Sequence, residues 1–314
     1  MYYLGIDLGG TNIAAGIVNE EGRILARKTV PTEASRGEDA VIMRMADAAR
    51  ALTEEAGIPL SDIVSVGVGS PGAIDSTAGV VVSACNLPFS NTPLAARLAS
   101  LLGRPVKLEN DANAAAWAEA VAGAARGSKD NVMVTLGTGV GGGIVIGGRL
   151  YGGYNGYAGE FGHMIIRDGG ETCACGQSGC LEAYASATAL IRETRRAAEG
   201  DRQSLLWSCA EAEGTFSGKT AFAAAAQGDA TAKAVIDRYV SDLSLGLINL
   251  IRIFQPEVVV VGGGIARAGD ALIAPLRKQL SGYISGKKAT RIEAASLGDD
   301  AGIVGAALLG MMEE

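Results

Sequence analysis

The chain has 314 residues and a net charge of −7 at neutral pH, and 45 of its residues are glycine. That length allows two domains, each with its own core, and the acidic balance argues against a nucleic-acid-binding protein, which normally has a basic face. No apolar stretch of about 18 residues is free of charge or glycine, so we expect no membrane span. The chain also lacks the pattern of a secretory signal. These features favour a cytoplasmic protein that binds neither nucleic acid nor membrane.

The first part of the chain alternates predicted strands and helices, which indicates an α/β domain. Three short strands separated by turns come first, and an amphipathic helix and a further strand follow. A helix, a strand and an alanine-rich helix complete this part. The predicted strands cover residues 2–7, 13–19, 24–31, 63–70 and 106–109, and the predicted helices cover 39–55, 93–102 and 111–121.

The second part begins with the same pattern of strand, glycine turn and strand. Each of the two pairs ends in Gly-Ile-Val, at residues 16–18 and 143–145, which suggests two related halves. The boundary is predicted between residues 123 and 130, and a cleft between the two lobes would be the natural ligand site. The predicted strands here are 132–136, 144–146 and 258–261, and the predicted helices are 187–198, 221–226, 231–253 and 301–311.

Three glycine-rich turns, at residues 7–12, 137–143 and 262–264, each follow an apolar strand. Glycine lets backbone N–H groups approach phosphate oxygens, and Thr11, Asn12 and Thr138 would add donors. Tight hairpins also demand glycine, but three such turns at strand ends favour nucleotide binding. No Walker A motif is present. The spacing G-x-G-x-x-G occurs at residues 67–72 and 137–142, but no predicted helix follows either stretch directly, so neither matches the dinucleotide-binding motif. Asp7 is a candidate to hold Mg²⁺ through water, and the alternative is that it caps the following turn.

One histidine and three cysteines form a compact cluster in sequence: His163, Cys173, Cys175 and Cys180. Three thiolates and one imidazole are a complete ligand set for tetrahedral Zn²⁺. A disulfide or buried thiols are the alternatives, but the spacing and a reducing compartment favour metal. Glu160 and Glu182 flank the cluster on either side, so a structural zinc ion would fix the loops that carry these carboxylates.

Asp111 lies where a predicted strand ends and a helix begins, in the run Glu109-Asn110-Asp111. One interpretation makes Asn110 or Asp111 the N-cap of that helix. The other interpretation makes Asp111 the base that accepts a proton from an attacking hydroxyl during phosphoryl transfer. Spacing alone leaves both interpretations open.

Three motifs resemble those of a known family. Residues 6–12 (Ile-Asp-Leu-Gly-Gly-Thr-Asn) resemble the first phosphate motif of the sugar-kinase/actin superfamily, and residues 108–114 (Leu-Glu-Asn-Asp-Ala-Asn-Ala) are similar to the catalytic segment of the ROK family of repressors and sugar kinases. Residues 159–163 together with 173–182 resemble the zinc signature of that family. The resemblance runs from Tyr3 to about Ala307, and within the family the chain is most similar to bacterial glucokinases.

This resemblance implies an α/β fold of two ribonuclease-H-like lobes of the actin/hexokinase type around a central cleft. The first lobe would be residues 1–123, with the C-terminal helix of residues 301–314 packed back on it. The second lobe would be residues 124–300 and would contain the zinc site. It implies ATP- and Mg²⁺-dependent phosphorylation of a hexose 6-hydroxyl, with glucose as the expected sugar, by a homodimer or homotetramer. The alternatives are a fructose or N-acetylhexosamine kinase, or a non-catalytic sugar sensor or repressor. A repressor would need a preceding helix-turn-helix segment, for which the strand at Tyr2 leaves no room.

The resemblance also implies roles for individual residues. Asp111 would activate the sugar 6-hydroxyl, and Asn110 would hold the neighbouring hydroxyl. The remaining sugar contacts would come from Glu160, His163 and Glu182, with Gly72 and Asn86 in segments that line the pocket. The nucleotide would contact Asp7, Gly9, Gly10, Thr11, Asn12, Gly137, Thr138 and Gly139, with the adenine near Gly263 and Gly264.

Overall fold

A computed structural model of the protein describes residues 1–283 and 289–312. The chain divides into two compact units, a first of Met1–Lys129, Gly143–Gly159 and Ser296–Glu314 and a second of Asp130–Gly142 and Glu160–Ala295. This division differs from the lobes predicted from the sequence, because residues 124–129 and 143–159 cluster with the first unit. Within the described ranges, no helix combines the length and the apolar character that crossing a membrane requires.

Strands and helices alternate in the first part of the chain, as the sequence predicts, whereas residues 182–254 form successive helices with no strand between them. The strands are β1 (Tyr2–Leu8), β2 (Asn12–Asn19), β3 (Ile24–Pro31), β4 (Ile63–Ser70), β5 (Ala73–Asp75), β6 (Val80–Ser83), β7 (Ser90–Thr92), β8 (Val106–Asn110), β9 (Asn131–Leu136), β10 (Val140–Ile146), β11 (Arg149–Leu150), β12 (Val258–Gly262) and β13 (Arg291–Ala294). The helices are α1 (Glu38–Ala56), α2 (Leu94–Leu102), α3 (Asp111–Val121), α4 (Glu182–Ala185), α5 (Ala187–Gly200), α6 (Leu206–Glu213), α7 (Thr220–Ala226), α8 (Ala230–Phe254), α9 (Asp270–Leu280) and α10 (Ala301–Leu308).

The first unit is built on a five-stranded sheet with the order β3-β2-β1-β4-β8. Strands β1, β2 and β3 form an antiparallel meander, whereas β4 and β8 run parallel to β1. Successive side chains of a strand point to opposite faces. Leu4 and Ile6 accordingly pack with α1 and α2 in one apolar cluster, and Tyr3 packs with α3 and α10 in another. Helices on both faces explain why β1 is a nearly continuous buried run.

Helix α10 approaches the sheet so closely that its backbone contacts the strands. A Cβ atom at Gly67 would lie 1.7 Å from the Ala306 carbonyl oxygen, and one at Gly5 would lie 2.0 Å from the Ile303 carbonyl oxygen. Any larger residue at either position would push the helix away. The helix predicted over residues 301–311 ends at Leu308 and continues as a 3₁₀ turn to Met311.

Glu119, near the end of α3, is a fully buried carboxylate that sequence reasoning missed. Its Oε1 accepts the backbone N–H groups of Ser296 and Leu297 at 2.9 and 2.8 Å. Its Oε2 accepts the N–H of Ala124 at 2.6 Å and the Ser296 hydroxyl at 3.1 Å. One side chain therefore joins the end of α3 to the segment that leads into α10.

The other five-stranded sheet has the order β11-β10-β9-β12-β13. Its strands follow the arrangement of the first sheet, with the third, second, first, fourth and fifth strand of each set side by side. Strand β12 runs parallel to both β9 and β13. The repeated order supports the prediction of two related halves.

The main disagreement with the predicted elements is a small sheet of β5, β6 and β7, which the sequence did not indicate. Its strands have only three or four residues, too few for a periodic pattern to be recognised. The short helices α4 and α6 were missed for the same reason. The longest predicted helix, over residues 231–253, is confirmed as α8, whose N-terminus is capped by Asp229 through the Ala232 N–H at 2.7 Å.

Candidate active site and metal centre

Asp111 is the first residue of α3, and the helix is capped by its neighbour. The Asn110 side-chain oxygen accepts the N–H groups of Ala112 and Asn113 at 2.9 and 3.3 Å, which is the arrangement of an N-cap. Asp111 uses one oxygen to accept the same Ala112 N–H at 2.9 Å. Because Asn110 caps the helix, the second oxygen of Asp111 remains available for chemistry.

Asp7, near the end of β1, lies close enough to Asp111 for the two carboxylates to repel each other. Burial, and to a smaller extent the nearby Asp111 carboxylate, raise the pKa of Asp7 to about 6. Surrounding protein atoms also desolvate Asp111 and raise its pKa, although its side chain is open to solvent. The N–H of Ala112 opposes this rise. Two carboxylates kept close together in this way are typical of a site that receives a cation or a proton.

Glu109, which precedes Asn110, is a buried carboxylate to which the sequence analysis gave no role. Its Oε1 accepts the Asn110 N–H at 2.8 Å and the Asn113 side-chain amide at 3.0 Å, and its Oε2 accepts the Ser76 hydroxyl at 2.8 Å. Glu109 therefore fixes the residue before Asp111. The signal that could have revealed it was a glutamate at the end of a strand, where burial of a carboxylate requires hydrogen-bond donors.

Gly72 lies against this cap. Its carbonyl oxygen accepts the Asn110 side-chain amide at 3.3 Å. Its φ of 103° and the 2.2 Å that would separate a Cβ from the Ser83 carbonyl oxygen admit only glycine. The structure thus brings Gly72, Asn110 and Asp111 together, and their contact with a sugar stays a prediction.

The turn between β1 and β2 contains Gly9, Gly10, Thr11 and Asn12. Gly9 donates its N–H to the Asn12 carbonyl oxygen at 2.9 Å, which closes the turn. The side chains of Thr11 and Asn12 are exposed. A Cβ at Gly10 would lie 3.1 Å from the Cβ of Asn86, so Asn86 lies beside this turn. The turn leaves side-chain donors free, as a phosphate site requires.

In the second unit, the turn between β9 and β10 is held by the residues that follow the metal cluster. Gly137 and Thr138 accept hydrogen bonds through their carbonyl oxygens from the Ala187 N–H and the Thr188 hydroxyl, both at 2.8 Å. Beyond Gly139, the N–H of Val140 donates to Glu182 Oε2 at 2.9 Å. The Thr138 side chain is exposed, so the turn presents a free hydroxyl from a rigid support.

Gly263 brings the third glycine turn beside the second. Its φ is 85°, and a Cβ there would lie 2.5 Å from the Leu136 carbonyl oxygen, directly before Gly137. Only glycine permits this approach. Gly264 has no atom within 4 Å of its Cβ position, so it borders open space.

The predicted metal ligands converge. The ligand atoms of His163, Cys173, Cys175 and Cys180 all lie within 4.8 Å of one another. The sulfurs of Cys175 and Cys180 are 3.7 Å apart, and His163 Nδ1 is 3.6 Å from Cys173 Sγ. Normal Zn–S and Zn–N bond lengths give tetrahedron edges of about 3.8 and about 3.6 Å. All these cysteines are free thiols, and the four ligands fit tetrahedral Zn²⁺.

His163 and Glu182 each have a second atom that points away from the cluster. With Nδ1 turned to the thiols, His163 Nε2 lies 3.8 Å from Glu160 Oε2. Glu182 Oε1 accepts the Cys173 thiol at 3.5 Å while its Oε2 holds Val140. Glu182 therefore joins the metal cluster to the glycine turn at residues 137–139, a contact that the sequence did not predict.

The ROK family matches the chain over residues 3–312. The chain belongs to the ROK family. Its α/β fold, predicted from the sequence, is that of the ROK sugar kinases. A ROK family glucokinase from Streptomyces griseus, solved in complex with glucose and AMPPNP, superposes with a TM-score of 0.82 and 37% identity, and the match covers 98% of this chain and 99% of that one.

Curated ROK relatives are similar over the same length. A glucokinase from Thermotoga maritima is 42% identical over 307 residues, covering 97% of this chain and 95% of its own. A glucokinase from Halalkalibacterium halodurans is 36% identical over 316 residues, covering 100% of this chain and 96% of its own.

Proposed function

We propose that the chain transfers the γ-phosphoryl group of ATP to the 6-hydroxyl of a hexose, with glucose as the preferred sugar. The observation that carries the proposal is a free Asp111 carboxylate beside a capped helix terminus, in a chain that resembles glucokinases over its full length. The products of this reaction are a sugar 6-phosphate and ADP, and the chain is a sugar kinase.

Asp111 is the proposed base. As the sugar O6 forms its bond to the γ-phosphorus and the bond from that phosphorus to the ADP oxygen breaks, Asp111 accepts the proton of the hydroxyl. The raised pKa of Asp111 suits this role, because a base works best when its pKa approaches the working pH. Asn110, whose backbone N–H donates to Glu109, is proposed to orient the neighbouring sugar hydroxyl.

The glycine turns are the proposed phosphate sites. The N–H groups of Gly9 and Gly137 close their own turns. The other backbone N–H groups of the turns at residues 9–12 and 137–139, with the hydroxyls of Thr11 and Thr138, would donate to the phosphate oxygens of ATP. Gly263 and Gly264 are proposed to border the adenine. Mg²⁺, when bound, supplies charge neutralisation, and Asp7 would hold it through water.

Glu160, His163 and Glu182 are the proposed contacts to the remaining sugar hydroxyls. If Nδ1 of His163 binds zinc, its Nε2 carries the proton and can donate to a hydroxyl. Cys173 as a zinc-bound thiolate has no S–H to donate, which would release Glu182 Oε1 for the sugar. Zinc is therefore proposed as a structural ion that orients sugar ligands. Because zinc-bound thiolates persist in a reducing compartment, we propose a cytoplasmic location.

The test is a panel of sugars and phosphoryl donors on the purified protein. We expect kcat/KM with ATP to be highest for glucose, above fructose, mannose, N-acetylglucosamine and N-acetylmannosamine, and the product to carry phosphate on carbon 6 by ³¹P NMR. A higher value for an N-acetylated sugar would leave a kinase but refute the glucose preference. No turnover of any of these sugars with ATP or polyphosphate would refute the proposal. The proposed homodimer or homotetramer is checked by light scattering on the same sample.

A further inference from the structure

The second unit contains a cavity of about 470 Å³ that the proposed reaction does not use. It lies among α5, α8 and the segment from Arg167 to Tyr184, which also carries the three cysteine ligands. This volume falls within the range of small-molecule sites. None of the residues predicted to contact sugar, nucleotide or metal lines it.

The cavity has an apolar side and a charged side. Leu190, Val235 and Tyr239 are buried and form the apolar side. Because α8 has only an alanine at position 234, and α5 an alanine at 197, the space between the helices stays open. The charged side contains three arginines and three carboxylates: Arg167, Arg196, Arg238, Glu171, Glu193 and Asp242.

The carboxylates are already paired with arginines. Arg167 binds Asp242, which is buried. A single nitrogen of Arg196, Nη1, binds Glu171 and Glu193, each at 2.9 Å. The other guanidinium nitrogens of Arg196 make no hydrogen bond to the described residues.

Arg238 is the arginine of the cavity that forms no contact ion pair, and its charge acts on Asp242 only at longer range. In the described parts of the chain it has neither an ion pair nor a hydrogen bond, although it lines the cavity. Tyr184 accepts the Glu171 N–H at 2.6 Å through its hydroxyl oxygen, which leaves its own O–H to donate. The charged side therefore offers unused donors next to neutralised carboxylates. Arginine N–H groups that are not used by these carboxylates match the oxygens of a phosphate or carboxylate group.

We propose that this cavity binds a small organic anion, a phosphate monoester or a carboxylate, with an apolar portion. The anionic group contacts Arg238 and Arg196, and the apolar portion lies against Leu190, Val235 and Tyr239. The size of the cavity and its division into two sides both select an amphipathic ligand over a bare inorganic ion.

The site also bears on sugar binding, a consequence that rests on the proposed function. Residues at or beside the cavity hold α4, the helix that starts with Glu182. Tyr239 donates its hydroxyl to the Ala185 carbonyl oxygen at 2.6 Å, and Arg192 donates to the Ala183 carbonyl oxygen at 2.8 Å. A ligand against Tyr239 and Tyr184 would change the support of α4, and binding coupled in this way is reciprocal.

The experiment is calorimetric titration of the zinc-loaded protein with phenyl phosphate and, separately, with benzoate. We expect saturable binding of at least one of these probes. The probe that binds with higher affinity shows whether the cavity prefers a phosphate or a carboxylate group. Arg238→Gln removes an unpaired, exposed guanidinium and should weaken binding about tenfold. Ala234→Phe fills the cavity and should abolish binding. The control Arg202→Gln, an exposed arginine outside the cavity, should bind like the wild type.

Three results would overturn the site: binding of neither probe, equal binding by the wild type and Arg238→Gln, or equal binding by the wild type and Ala234→Phe. The last result would mean that the probe occupies a different site. These measurements need no turnover, so they are independent of the proposed function. Glucose affinity measured with and without the probe tests the coupling, and an unchanged value refutes it.

Discussion

Replacing Asp7 by Asn should make the protein more stable while destroying its activity. Asp7 has a pKa of about 6 because it is buried and faces Asp111. In the unfolded chain the same group has a pKa of about 3.9. Between these values the folded state holds a proton that the unfolded state has released, so stability falls as the pH rises from about 4 to 6. Asn carries no charge and avoids this loss.

The size of the effect follows from the difference between the two pKa values. Two units at about 1.36 kcal/mol each give a ceiling of about 3 kcal/mol at pH 8. Asp7 is partly accessible to solvent, and screening reduces the expected gain to about 1–2 kcal/mol. At pH 4 the carboxyl is protonated in the folded state and about half protonated in the unfolded state, so most of the gain should be lost.

Urea unfolding of the wild type and Asp7→Asn at pH 4 and pH 8, without magnesium or nucleotide, measures this difference. Asp111→Asn should lower the pKa of Asp7 and so recover part of the same stability. A variant that is less stable than the wild type at pH 8, or a stability difference that does not change with pH, would refute the reasoning. Such a result would mean that Asp7 is stabilised as a carboxylate in the folded protein.

Two further predictions concern the metal cluster and the buried glutamates. Cys175→Ser should lose the zinc ion and bind glucose more weakly, whereas Cys85→Ser, which replaces an exposed thiol outside the cluster, should keep the zinc ion and the glucose affinity. Elemental analysis measures the zinc content. A wild-type protein that is fully active without zinc would contradict this prediction. Glu119→Gln should cost about 1–3 kcal/mol of unfolding free energy, because either amide orientation sets an NH₂ group against backbone N–H donors. Glu109→Gln should cost less, since the rotatable Ser76 hydroxyl can accept from the new NH₂ group. Equal losses in the two variants by urea unfolding would refute that comparison.

Much of the fold could be predicted from the sequence because its elements are long and periodic. The alternation of strands and helices and the span of α8 follow from apolar spacing and from caps such as Asp229. Strands β5 to β7 could not be predicted, since three or four residues carry no period. Residues 143–159 also cluster with the first unit, and such a return of the chain depends on tertiary contacts that leave no local signal.

The candidate site was predictable where chemistry demands a residue type. A single histidine with three closely spaced cysteines allows few interpretations, and the four ligands do converge. Spacing left the role of Asp111 open; the structure shows that Asn110 caps the helix, and the role of Asp111 as the base stays a prediction. Glu109 and Glu119 were missed because their importance comes from burial and from donors distant in sequence. The two contacts of Glu182 arise in the same way.

The most direct test of the proposed reaction is Asp111→Asn in a kinase assay with ATP and glucose. Asn keeps the size of the side chain and accepts the Ala112 N–H, but it cannot take the proton of the 6-hydroxyl. We predict that glucose binds with nearly unchanged affinity by calorimetry while kcat falls by about a hundredfold or more. Near-normal turnover by this variant, beside an active wild type, would contradict the assignment of Asp111 as the base.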